Sequence, residues 1–221
     1  MKIKNIKFWI FDLDNTLYPS STNLFSGIDK LMASFITQNL NVSHEEAIQM
    51  KNDYFQKHGT TLNGLIKHHN IDPHHFLEFV HNIDYSFLNK NEKLNNEIKN
   101  LPGKKIIFTN GSKKHAKNVV SNLQLDENLF SIFDIVDCDF IPKPEKLPYE
   151  RLIKKYDIIP EESIFFEDIA RNLKPAHDLG MKTGWVINDD NWAKEGHDED
   201  HVHFKINQLD HFLEQCNLLI K

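Results

Sequence analysis

Two carboxylates two residues apart, Asp12 and Asp14 in the hexapeptide FDLDNT (residues 11–16), follow directly on the apolar run Ile6 to Phe11. Side chains alternate along a strand, so both acids can face one site only if the chain turns there. Their mutual repulsion calls for a cation or a proton close by. With a divalent metal the pair becomes useful. Asp12 can attack a phosphorus centre, and Asp14 can protonate the departing alkoxide and later activate water. The bland alternative is an acidic strand-to-loop turn, solvated at the surface.

Three further segments supply what such chemistry lacks. FTNGS (108–112) puts Thr109, Asn110 and Gly111 just before a helix, whose first amides point at an anion; this makes a candidate phosphate cradle. Read alone, Thr-Asn-Gly-Ser is also an ordinary turn. Lys143, between two prolines in IPKPEK (141–146), is a candidate counter-charge for Asp12 and a transferring phosphoryl group, although a lone lysine is usually just solvated. FFEDIARN (165–172) brings a second acidic pair. Mg²⁺ prefers oxygen ligands and keeps several waters, so Asp168 beside Asp12 and Asp14 completes a candidate metal set. Glu167 is expected to bind outer-shell water or a neighbouring amide, and Asn172 to orient Lys143. The competing reading is a helix start decorated with acids, which the dipole favours anyway.

Each segment follows a short apolar run: Ile6 to Phe11, Lys105 to Phe108, Phe133 to Val136 and Ser163 to Phe166, with Met181 to Ile187 further on. Runs apolar on both faces, alternating with helical stretches such as 113–124 and 146–156, predict an α/β core. The expected fold is a Rossmann-like, doubly wound parallel sheet with its chemistry at the carboxyl ends of the strands. Between Thr16 and Pro102 the period changes. Leu24, Ile28, Leu31, Phe35 and Ile36 fall at helical spacing, with Ser21 or Thr22 placed to cap the start, and Ser43 with Glu46 forms a capping-box pattern. Shorter helices are expected over 62–69, 73–81 and 91–100. The predicted organisation is a core of residues 1–17 and 101–221 interrupted by an all-helical cap, 18–100. A final helix is expected over 207–220, preceded by an edge strand.

The 221 residues are 40% hydrophobic and 26% charged, with a formal net charge of −6. That balance argues against a nucleic-acid polymer or an anionic membrane as partner. Two distant cysteines, no apolar run near membrane length and an N-terminus without a cleavage-site pattern predict a cytoplasmic setting. Among the 13 histidines, the adjacent pairs His68/His69 and His74/His75 point to different helix faces and His197, His201 and His203 lie in an acidic loop, so a transition-metal site is not expected, and Mg²⁺ favours the carboxylates in any case.

The four segments together resemble the haloacid dehalogenase superfamily, in its phosphatase branch: FDLDNT, FTNGS, Lys143 and EDIARN match its motifs in order. FDLDNTLYP, HGTTLNGL (58–65), FTNGSKKHA and ARNLKPAHDLGM further resemble the pyrimidine 5′-nucleotidase group. The resemblance implies Mg²⁺, a helical cap and UMP- or CMP-like substrates, with catalysis by Asp12, Asp14, Thr109, Asn110 and Lys143 and substrate binding by Thr109, Asn110, Gly111 and Lys143. Glu167 departs from the aspartate of many relatives, and the EKLPYE spacer is unusual. Sugar phosphates and phosphoglycolate are alternative substrates. A phospho-aspartate receiver domain is the competing class, but it would carry its acceptor on the third strand and lack a helical insertion after the first.

Overall fold

The computed structural model describes Ile3 and residues 5–220. Met1, Lys2 and Lys4, part of the N-terminal stretch judged not to be a leader, lie outside the described residues, as does Lys221. The first strand, β1 (Phe8–Phe11), is buried at every position. It pairs in parallel with β2 (Lys104–Phe108) on one side and β4 (Ser163–Glu167) on the other. β3 (Phe130–Phe133), β5 (Lys182–Val186) and β6 (Phe204–Ile206) extend a six-stranded sheet of order β3-β2-β1-β4-β5-β6. All its pairings are parallel. This is the dinucleotide-fold order, whose switch point lies between β1 and β4. It differs from the 2-1-3-4-5 order in which receiver-type domains are built.

Alternation along these strands feeds two cores. Trp9, Phe11, Ile107, Ile164 and Phe166 pack on one face with residues of α5 (Glu92–Asn100), α6 (Lys113–Asn122) and α9 (Leu209–Ile220). Phe8, Ile10, Ile106, Phe108 and Phe165 pack on the other with α7 (Lys146–Tyr156) and α8 (Lys174–Asp178). Helices on both faces make the sheet doubly wound. Each fully buried Phe or Ile contributes about 1.5–3 kcal/mol, so the strands are held mainly from their two faces.

Between β1 and β2 lie α1 (Leu24–Leu40), α2 (His44–His58), α3 (Thr61–His69), α4 (Pro73–Val80) and then α5. Ile28, Phe35, Ile36, Leu65, Phe76 and Val80 of this insertion form a third hydrophobic cluster, which Ile135 after β3 also joins. The capping box at α2 forms, with Glu46 N 3.2 Å from Ser43 Oγ and Ser43 N 2.9 Å from Glu46 Oε2. α3 follows a turn at Gly59 and is capped by Thr60, whose hydroxyl accepts from Asn63 N. Gly64 lets α3 cross close to α2, because a Cβ there would lie 2.3 Å from the Tyr54 ring. No helix among the described residues is long and apolar enough to cross a membrane.

Two expectations need correction. The third strand is Phe130–Phe133 rather than Phe133 to Val136. Phe133 pairs with Phe108, the last residue of β2, so beyond it no partner remains. The chain then turns, and Asp134 Oδ2 accepts from Lys113 N at 2.7 Å at the start of α6. At α1 neither Ser21 nor Thr22 caps. Both belong to a 3₁₀ turn closed by Asn23 N to Ser20 O (3.0 Å), and left-handed Asn23 (φ 58°) opens the helix instead.

Candidate active site

Asp12 directly follows β1, and its amide extends the ladder by donating to Phe166 O (2.8 Å). This fixes the residue at the switch point, one position beyond the last paired residue. The chain then turns: Leu17 N reaches Leu13 O at 3.0 Å, and Asn15 adopts φ 59°. That turn is what puts both Asp12 and Asp14 on the wall of one cleft of about 660 Å³. Thr109, Asn110 and Gly111 after β2, Lys143, and Glu167 and Asp168 at the end of β4 line the same cleft. Asn172 lines it too. All the residues selected from sequence thus meet, but several have other partners than expected.

Lys143 is almost wholly buried and three acceptors surround its ammonium: Asp12 Oδ1 at 2.6 Å, Glu167 Oε2 at 2.7 Å and Phe108 O at 2.9 Å. The Phe108 and Phe165 rings lie 4.9 and 5.4 Å from Nζ, which adds cation–π attraction. Burial alone would lower its pKa, but the Asp12 and Glu167 carboxylates outweigh that and hold the ammonium above its usual range. Its backbone is clamped by Asn110, which accepts from Lys143 N (2.9 Å) and donates to Lys143 O (3.3 Å). Asn110 therefore spends its amide on Lys143 in this structure. Thr109 Oγ1 accepts from Gly111 N (2.8 Å).

The expectation that Asn172 orients Lys143 holds only at one remove. Its Nδ2 donates to Glu167 Oε1 (3.2 Å), the oxygen that also accepts from Ile169 N (3.3 Å). Glu167, not Asn172, touches the ammonium.

Oxygens of Asp12, Glu167 and Asp168 all lie within 4.8 Å of one another. Three buried carboxylates beside one ammonium leave an excess of negative charge. Burial, then Glu167, pushes Asp12 up to about 8, and the same causes hold Asp168 well above the carboxylate range. Asn188 donates to Asp168 Oδ2 (2.8 Å). Among the described residues no donor meets the second oxygen of Asp12 or of Asp168. An all-oxygen donor set with excess negative charge fits a hard divalent cation such as Mg²⁺.

Asp14 stands apart from that group. Its carboxylate, expected among the metal ligands, turns to two residues that the sequence reading did not select. Tyr18 Oη donates to Asp14 Oδ1 (2.5 Å), and His115 Nε2 lies 2.7 Å from the same oxygen. Against a burial that would raise it, the His115 charge and the bonds from His115 and Tyr18 hold Asp14 below its usual range. The available signals were a tyrosine four residues after Asp14 and a histidine in the first turn of the helix after FTNGS.

The family of haloacid dehalogenase-like hydrolases matches residues 9–186, and the chain belongs to it. "Phosphate metabolism protein 8" of Saccharomyces cerevisiae is 29% identical over 199 residues, which are 82% of this chain and 61% of that protein. The chain thus spans about three-fifths of that relative's length. Among solved structures, a HAD phosphatase from Thermococcus onnurineus superposes with a TM-score of 0.60 at 16% identity, covering 97% of each chain. The L-2-haloacid dehalogenase of Xanthobacter autotrophicus gives 0.58 at 15% identity, covering 98% of this chain and 100% of that one. At these identities the likeness is one of fold.

Proposed function

We propose that the chain is a Mg²⁺-dependent phosphomonoesterase that works through an aspartyl-phosphate on Asp12, with pyrimidine nucleoside 5′-monophosphates as its substrates. The fold alone is shared with dehalogenases, so the choice rests on side chains. The observation that carries it is the buried cluster of Asp12, Glu167 and Asp168, in which Asp12 and Glu167 also pair with the single Lys143 ammonium. A dehalogenase needs neither a second acidic cluster nor Asp14. A phosphate dianion, by contrast, can enter so acidic a pocket only with added positive charge.

In this reading Asp12 attacks phosphorus while Lys143 balances its charge and that of the phosphoryl oxygens. Thr109 Oγ1, which accepts from Gly111 N, keeps its own proton to donate to the phosphoryl group. Bound Mg²⁺, held by Asp12 and Asp168, would neutralise charge developing on that group. Asp14 protonates the leaving oxygen and then deprotonates the attacking water. Asp14 is held low before substrate arrives; the entering dianion adds repulsion that raises its pKa, so proton uptake accompanies binding.

The helical insertion serves as the cap, with residues 18–100 forming one unit and 1–17 with 101–221 the other. Its α2 residues Asn52, Phe55 and Gln56 line the same cleft as Asp12, and Phe55 meets Trp192 of the core edge-on (5.5 Å, 87°). An aromatic edge beside two side-chain amides suits a base that stacks and hydrogen-bonds, and the cleft volume accommodates a nucleotide. The test is a phosphatase screen with Mg²⁺ over UMP, CMP, purine nucleotides, ribose 5-phosphate and phosphoglycolate. UMP and CMP should lead in kcat/KM. Turnover of a sugar phosphate tenfold better than either would move the substrate assignment, and no turnover of any ester would remove the phosphatase reading.

A further inference from the structure

His115 is wholly buried, yet its ring makes polar contacts at both nitrogens. Tyr85 Oη donates to His81 O (3.1 Å) and lies 3.0 Å from His115 Nδ1. The His81 ring stacks flat on His115 (4.3 Å between centroids, 5° between planes), and His81 Nδ1 meets Ser112 Oγ at 3.1 Å. On the other side the ring abuts the phosphate cradle: a Cβ on Gly111 would lie 3.1 Å from His115 Cδ2. The imidazole is thus wedged between the return of the insertion and the cradle.

What this wedged ring holds is one oxygen of one carboxylate. Both bonds to Asp14, from Tyr18 and from His115, fall on Oδ1. Asp14 lines the cleft with its side chain 16% exposed. A carboxylate pinned twice through one oxygen cannot swing toward Asp12 and Asp168, and its other oxygen is the one left to exchange a proton with substrate. We propose that His115 is the positioning residue of the general acid, fixing Asp14 through Oδ1 so that Oδ2 serves the leaving group. The proposal rests on Asp14 being the acid of the phosphatase reading, and it adds a residue and a named oxygen to it.

A positioning role leaves a signature that a merely structural one does not. Loss of acid catalysis hurts a poor leaving group and spares a good one. The experiment compares wild type, His115→Ala, His115→Gln and Tyr85→Phe in single-turnover reactions with saturating Mg²⁺. The substrates are p-nitrophenyl phosphate and an alkyl phosphate (UMP, or ribose 5-phosphate where UMP is not turned over). His115→Ala should slow alkyl phosphate cleavage by about 10²-fold or more, and at least tenfold more than nitrophenyl ester cleavage. KM for both should stay within about threefold. Glutamine, whose Nε2 reaches the position of the imidazole Nε2, should recover at least a tenth of the lost rate. If His115→Ala does not fold by circular dichroism, Tyr85→Phe should show the same selective loss at smaller size. Equal losses on both esters, or a glutamine variant no better than alanine, overturns the proposal. A wild-type protein that cleaves neither ester removes the phosphatase reading instead, before any variant is compared.

Discussion

Gly59, in the turn between α2 and α3, rests against the backbone of Lys143: a Cβ there would lie 3.2 Å from the Lys143 carbonyl oxygen and 3.3 Å from Pro142 Cγ. The tip of the insertion is therefore fitted onto the loop that carries the buried ammonium, and Gly59 also holds φ +79°. Gly59→Ala should cost about 1–3 kcal/mol from the positive-φ backbone alone. It should also lower kcat/KM on any phosphate ester by displacing the Lys143 loop. Thermal unfolding and steady-state kinetics check both effects; unchanged values would show that the close approach does not matter.

Lys143→Met leaves Asp12 and Glu167 buried without their cation. Removing one partner of a buried pair costs about 3–5 kcal/mol, mostly as uncompensated charge. Asp12, already pushed up to about 8 beside its cation, rises further without it, so the cost of its charge grows as pH climbs through 8 and is smallest toward pH 5. Adding Glu167→Gln should recover part of the loss at pH 8. Urea unfolding at the two pH values measures this, and a pH-independent loss would contradict it.

Metal binding should compete with protons. Asp12 is pushed up to about 8 by burial and Glu167, so below that value it carries a proton that a cation must displace. The apparent Mg²⁺ affinity should therefore strengthen by up to about tenfold per pH unit from pH 6 to 8, for one displaced proton, and level off above. Titration calorimetry across that range reads the slope. Flat affinity between pH 6 and 8 would mean that Asp12 is already ionised.

Much of the architecture was legible from sequence because its cause is local. β1 is apolar at every position and β4 through its centre, Ile164 to Phe166, which only a strand buried on both faces needs, and the Ser43–Glu46 box is a four-residue signal. What was not legible depends on partners distant in sequence. β3 ends where β2 ends, a matter of register across the sheet, and apolar Ile135 and Val136 extended the pattern past that point. Asp14 and His115 are 101 residues apart, so their bond depends on the whole fold placing α6 beside the first turn. Asn172 lies in the expected place but bonds Glu167, because Lys143 is already enclosed by Asp12, Glu167 and the Phe108 carbonyl.

The most direct measurement is the fate of phosphate at Asp12. Wild-type protein with Mg²⁺ and labelled phosphate ester, quenched in acid during turnover, should carry label on the peptide containing Asp12. Asp12→Asn should carry none and turn over esters several orders of magnitude more slowly, as expected for loss of a covalent nucleophile. Label on another residue, or an Asp12→Asn variant keeping more than a few per cent of the wild-type rate, would contradict nucleophilic attack by Asp12.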